Sequence, residues 1–319
     1  MARYLVVILS LWLSWAWAQD SSRLPAEAMP LATQSLILDV EPYREGAIAV
    51  GERGHILLSD DQGSWRQLDN VPTRSTLTAV TSFGDQLWAV GHDAVILNSN
   101  DGGLNWVHQS APENSFFPEF RQPLLDVLFT SASDGFAIGA YGYLLRTGDG
   151  GQSWREERLN EDDDFHLNGI VKLRDGTLFI AAEAGNYYRS VDAGASWEWA
   201  QMSYTGSMFG VLIVGPERMI KFGLRGNVFE SNDAGLSWDA VDTGVLNSLM
   251  GGTVTADGTV VLVGANGQIL RRQKNAGAFE SSTHRTGDDL TAVTEAGDGK
   301  LLIASERGVL GSTLDGAVQ

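Results

Sequence analysis

Seven glycine-rich signatures recur along this 319-residue chain at near-constant spacing, and that period narrows the choice of fold more than any local pattern does. They are Gly51-Glu52-Arg53-Gly54, Gly91-His92-Asp93-Ala94, Gly139-Ala140-Tyr141-Gly142, Ala182-Glu183-Ala184-Gly185, Gly223-Leu224-Arg225-Gly226, Gly264-Ala265-Asn266-Gly267 and Ser305-Glu306-Arg307-Gly308. Their last residues lie 40, 48, 43, 41, 41 and 41 positions apart. Two short apolar stretches precede each signature, as Leu77-Thr78-Ala79-Val80 and Leu87-Trp88-Ala89-Val90 precede the second, with a polar or glycine-containing turn between them.

A third strand follows each signature, for example Ile56-Leu57-Leu58, and leads into a second motif. Ser99, Asp101, Gly103 and Trp106 return at the same spacing as Thr147, Asp149, Gly151 and Trp154, as Ser190, Asp192, Gly194 and Trp197, and as Ser231, Asp233, Gly235 and Trp238. A variant one residue shorter, Ser59, Asp61, Gly63 and Trp65, opens the series. These are Asp-boxes, also called bacterial neuraminidase repeats. In such a hairpin the carboxylate accepts backbone N–H groups of the turn, glycine takes the positive-φ position, and the tryptophan starts the outer strand with its ring packed between sheets. A carboxylate repeated so regularly is structural rather than catalytic. The sixth copy, around Lys274 to Gly277, and the seventh, Ser312 to Gly316, are degraded.

Four strands per unit of about 41 residues describe a propeller blade. The chain is therefore expected to be all-β: one seven-bladed β-propeller of four-stranded antiparallel blades over residues 19–319, its repeats running from Ser35 to Gln319. The last unit stops after Asp315-Gly316 with no tryptophan or fourth strand, so residues 25–34 are expected to supply an outer strand and close the ring. The alternative is that Ala317-Val318-Gln319 ends the sheet and the N-terminal stretch is a loose tail.

Composition excludes several classes. No cysteine is present, so disulfides and thiolate-held metals are out. Forty acidic residues against 22 basic ones give a formal charge of −18, which opposes binding to a nucleic-acid backbone. Arg3, the apolar run Tyr4 to Ala18 and the small-x-small end Ala16-Trp17-Ala18 read as a secretory signal peptide over residues 1–18. The run is shorter than the roughly 20 residues of a membrane span, so a periplasmic product that does not itself span the membrane is expected after cleavage.

Loops between second and third strands, and those linking blades, open on one face around the channel. Arg53, His92, Tyr141, Arg225 and Arg307 would stand there on the signatures, with Arg74 and Arg121 on blade-to-blade loops. The longest interval carries Phe116, Phe117 and Phe120, either a hydrophobic docking handle or a plug for the channel. Glu161-Asp162-Asp163-Asp164 offers oxygen ligands but lacks the spacing of a calcium loop, which favours a solvated turn. Sialidase-type chemistry needs an arginine cluster and a tyrosine nucleophile. Arg53, Arg225 and Arg307 with Tyr141 or Tyr204 could imitate it, so a carbohydrate-active or lectin-like propeller is the second reading.

The paired motifs over seven blades resemble the photosystem II stability and assembly factor family and its homologues in non-photosynthetic bacteria. The resemblance covers residues 35–319. It implies a non-enzymatic, cofactor-free factor that binds a membrane protein through an arginine-rich face, which only Arg53, Arg225 and Arg307 match here. Glu52, Asp93, Glu183 and Glu306 dilute that face. With a plain secretory signal, the implied partner is another exported or inner-membrane complex, a transporter first.

Overall fold

An unbroken apolar stretch such as Ala47-Ile48-Ala49-Val50 is buried on both faces only where sheets flank it on two sides. The computed structural model, which describes residues 20–109, 112, 121–159, 164–297 and 299–312, provides that setting. Blade 1 sets the pattern with β1 (Ile37–Tyr43), β2 (Gly46–Gly51), β3 (Ile56–Ser59) and β4 (Trp65–Gln67) paired in that order. Five more four-stranded sheets repeat it, and among the described residues the seventh contains three strands, Leu290–Glu295, Leu301–Ser305 and Gly308–Ser312. The molecule is the seven-bladed all-β propeller that the repeat predicts. Among the described residues the helices are single 3-10 turns, none long and apolar enough to cross a membrane.

Each second strand sits between two neighbouring blades, and its alternating side chains serve one neighbour each. Ile48 and Val50 join Leu77 and Leu87 of blade 2, while Ala47 and Ala49 join Ala304 of blade 7. Each fully buried leucine or isoleucine contributes roughly 1.5–3 kcal/mol. Blade 5 breaks the pattern, because Lys221 stands where the other blades have Ala49, Ala89, Ala137, Ile180, Leu262 and Ile303. Its ammonium lies 4.1 Å from the Tyr187 ring centre and 3.9 Å from that of Trp238, and burial pushes its pKa down to about 6.

Adjacent blades are stitched at the channel by polar side chains near the start of the inner strands. The register of each inner strand shifts there by one residue, and such a bulge re-aims a side chain across the gap. Asp39 of blade 1 accepts the Val80 N–H at 2.9 Å, Thr78 of blade 2 donates to the Leu124 carbonyl at 2.7 Å, and Asp126 of blade 3 accepts the Ile170 N–H at 2.8 Å. Asn168 of blade 4 donates to the Met208 carbonyl at 2.9 Å. The same device closes the ring, with Thr291 of blade 7 donating to the Ile37 carbonyl at 2.7 Å.

Residues 25–34 do not form the expected outer strand. Ala32–Gln34 is a 3-10 turn lying against both β4 and the last strand of blade 7, and Ala32 is buried with Ile37 and Ala304. Residues 26–29 bind blade 1 instead: Ala26 donates to the Val71 carbonyl, Met29 N–H to Gln67 Oε1, and Gln67 Nε2 to the Glu27 carbonyl. Pro25 and Pro30 explain the difference, since neither has the N–H a ladder needs. The signal segment 1–18, the terminal Ala317-Val318-Gln319 and the box remnant after Ser312 lie outside the described residues.

Candidate functional site on the open face

Six signatures fold into 3-10 turns whose middle residue is left-handed: Arg53, Asp93, Tyr141, Ala184, Arg225 and Asn266, with φ of 57°, 58°, 56°, 54°, 56° and 56°. That conformation is unfavourable for a residue with a Cβ, and the surrounding turn maintains it. In five of the six a glycine follows, and at Gly54 it is required by close approach as well as by φ, whereas Ala94 follows Asp93 with φ of 53°. A Cβ on Gly54 would stand 2.0 Å from the Thr73 carbonyl oxygen, and one on Gly308 2.0 Å from that of Thr33. Each blade-to-blade loop thus rests directly on a signature turn, and the two loop sets form one face.

Arg53, His92, Arg225 and Arg307 are exposed on this face. Arg307 is held by Asp288, with Nε 3.0 Å from Oδ1, and Arg53 and Arg225 form no ion pair among the described residues. Tyr141 is half exposed with its ring centre 4.8 Å from that of His166, whose Nδ1 is 3.0 Å from Glu183 Oε2. Tyr204 is engaged in bracing the blade 4–5 junction: its hydroxyl donates to the Leu224 carbonyl and accepts from Asn227 Nδ2. Phe116, Phe117, Phe120 and Glu161–Asp163 lie outside the described residues.

Arg74 and Arg121 are not available as drawn from sequence, because the chain's own N-terminal segment binds them. Arg74 donates to the Pro25 carbonyl at 2.8 Å and pairs with Glu27 at 2.9 Å. Arg121 pairs with Asp20 at 2.8 Å and donates to Ser22 Oγ at 2.6 Å. Their separation from the free arginines was invisible in the spacing, although an acidic residue at each end of residues 20–27 was there to see.

The Asp-box turns lie away from this face. Asp101 Oδ1 accepts the Asn105 N–H and the Ser99 hydroxyl, and Ser99 Oγ accepts the Gly103 N–H; Asp149, Asp192 and Asp233 repeat these contacts. In the first box Asp60, rather than Asp61, accepts the N–H groups of Gln62 and Ser64. The register is set from the tryptophan: Asp60 precedes Trp65 by five residues, as Asp101 precedes Trp106, so the missing residue falls before the aspartate. Trp106 and Trp154 are buried, and Trp65, Trp197 and Trp238 are partly buried. Boxes also tie blades together, since Trp88, Arg146 and Arg189 donate to the carbonyls of Gly150, Gly194 and Ala234 in the next blade's box.

The channel between the faces is a cavity of about 330 Å³ lined in part by Asp39, Glu41 and Asp126. Burial raises the Asp39 carboxyl to about 6 and Asp126 to about 7, against the N–H groups each accepts. Burial and the neighbouring Asp39 and Asp126 charges push Glu41 well above the usual carboxylate range. Among the described residues no three acidic or histidine side chains are grouped to hold a metal ion.

The family model for the photosynthesis system II assembly factor YCF48 matches residues 107–308, more than half of the chain. The chain belongs to the YCF48 family. It is similar to the photosystem II assembly lipoprotein Ycf48 of Synechococcus sp. (strain CC9902), 28% identical over 188 residues that cover 56% of this chain and 51% of that one. The chain thus spans about half the length of the curated relatives it matches. Among solved structures, YCF48 from Cyanidioschyzon merolae superposes with a TM-score of 0.70 at 17% identity, covering 89% of this chain and 97% of that one. A structure of YCF48 bound to D1 peptide gives 0.71 at 16% identity, covering 92% and 98%. At these identities the superpositions establish a shared fold.

Proposed function

We propose that this chain is a non-enzymatic binding module for the assembly of a membrane-protein complex and engages its partner through the open face. Family membership carries the reading, and a YCF48 propeller solved with D1 peptide supplies a precedent for a peptide from a membrane protein as ligand. The exposed Arg53 and Arg225, which have no partner carboxylate among the described residues, are the groups to meet it, with Arg307 beside them. In this reading residues 1–18 export the chain to the periplasm. Because that segment is of plain secretory type, an inner-membrane transporter is the first partner to test.

The test is recovery of partners from solubilised membranes by wild type and by the Arg53→Glu, Arg225→Glu, Arg307→Glu triple variant. The variant is expected to lose the partner while melting as a folded protein. Unchanged recovery would remove the arginines from the function.

A further inference from the structure

Residues 20–27 cross the open face over blades 1 to 3 as a 3-10 turn, Ser21–Arg23 capped by Asp20, followed by residues 24–27 outside regular structure. Their contacts with the propeller are ones that a peptide of another molecule with the same turn could also make. Arg74 receives them through its side chain, to the Pro25 carbonyl and Glu27, and through its main chain, donating its N–H to the Ser21 carbonyl at 2.9 Å. Arg121 takes Asp20 and Ser22, and the Ser21 hydroxyl donates to Asp93 at 3.2 Å. Ala26 donates to the Val71 carbonyl at 2.8 Å and packs against the core cluster of blades 1 and 2.

The chemistry of this groove is general. It reads two carboxylates seven positions apart, main-chain groups between them, and a small residue one position before the second carboxylate. The ion pairs are half exposed, so each holds weakly and the segment as a whole can leave.

We propose that residues 20–27 are a self-ligand seated in a peptide-binding groove on blades 1 to 3, and that an acidic segment of the partner competes for Arg74 and Arg121 by displacing it. The proposal rests on the open-face reading above and adds a second half to that face. Arg53 and Arg225 stand ready, Arg307 is held by Asp288, and Arg74 and Arg121 are released only on exchange.

The experiment uses the full chain and a synthetic peptide of residues 20–29, with no membrane partner, so its outcome is separate from that of the membrane pull-down. Peptide binding is measured by fluorescence anisotropy on wild type, on Asp20→Arg with Glu27→Arg, and on Ala26→Pro, which removes the N–H given to Val71. Hydrogen exchange over residues 20–29 reports whether the segment has left. If the segment is docked about 90% of the time, releasing it raises the apparent peptide affinity about tenfold. Adding Arg74→Glu and Arg121→Glu to the released form is expected to abolish that gain. Equal affinity for the released and wild-type forms would overturn the proposal. So would a segment that stays protected in both variants, or variants that fail to fold, because each makes residues 20–27 a fixed part of the propeller.

Discussion

Asp101 on a box turn and Asp126 in the channel both accept backbone N–H groups, yet they titrate in opposite directions. Asp101 is exposed, and the Asn105 side chain, the Asn105 N–H and the Ser99 hydroxyl hold its carboxyl down at about 2. Asp126 accepts the N–H groups of Val127 and Ile170 and is nonetheless raised to about 7 by burial, with the Asp39 charge adding to it. The difference shows that hydrogen-bond count does not decide the charge of a carboxylate. Where bulk water solvates the ion the donors add to it, and where neighbouring blades crowd the channel their help falls short of the hydration lost. Rim boxes are thus stable anions, and the channel holds carboxyls that prefer a proton.

Removing the carboxylate breaks the comparison most severely. Asp126→Ala leaves the Val127 and Ile170 N–H groups unpaired at a blade junction, at about 1–3 kcal/mol per group. A melting temperature lower by about 3–10 °C is expected for a protein of this size. Asp149→Ala on the rim should lose less than half as much, because water reaches the turn. Equal losses in thermal denaturation would show that the channel stitch is no stronger than a box.

A milder change sharpens the pH argument. The raised carboxyls of Asp39 and Asp126 contribute stability that is fully present below the unfolded pKa near 4 and lost as pH rises through about 6 to 7. Box residues such as Asp101 and Asp192, lowered to about 2, contribute stability present above pH 4 and lost as pH falls toward 2. Lys221, lowered to about 6, adds stability as pH rises from there toward its unfolded value of 10.5. Glu41→Gln removes one negative charge beside Asp39 and Asp126 and keeps an oxygen to accept the Ser82 N–H. It should raise the melting temperature at pH 8 by about 2–4 °C and leave it unchanged at pH 4. A gain at pH 4 equal to that at pH 8 would rule out charge crowding as its cause.

The smallest effect concerns the first box. Asp60→Ala should lower the melting temperature by about 2–4 °C, as loss of a turn-capping acceptor does, and Asp61→Ala should leave it within about 1 °C. The reverse order would restore the alignment counted from Ser59.

The architecture and the family were legible because a blade is a local unit: the signature glycines, the apolar second strands and the box tryptophans each report on contacts made within about 41 residues, and seven repetitions averaged out every exception. The box aspartates were legible for the same reason, except where one deletion in the first copy moved the carboxylate from position 61 to 60. The stitches were half visible, as polar residues at Asp39, Thr78, Asp126, Asn168 and Thr291 in otherwise apolar inner strands, but nothing local says that they reach the next blade. Only tertiary structure decided that Arg74 and Arg121 are bound by residues 20–27, that residues 25–34 brace blade 1 without forming a strand, and that Lys221 lies in an aromatic cage. Each of these depends on which distant segments share a surface, as Arg121 and Asp20 do across 101 positions of the chain. A one-dimensional pattern carries the period of the repeat, and the ring alone brings such partners together.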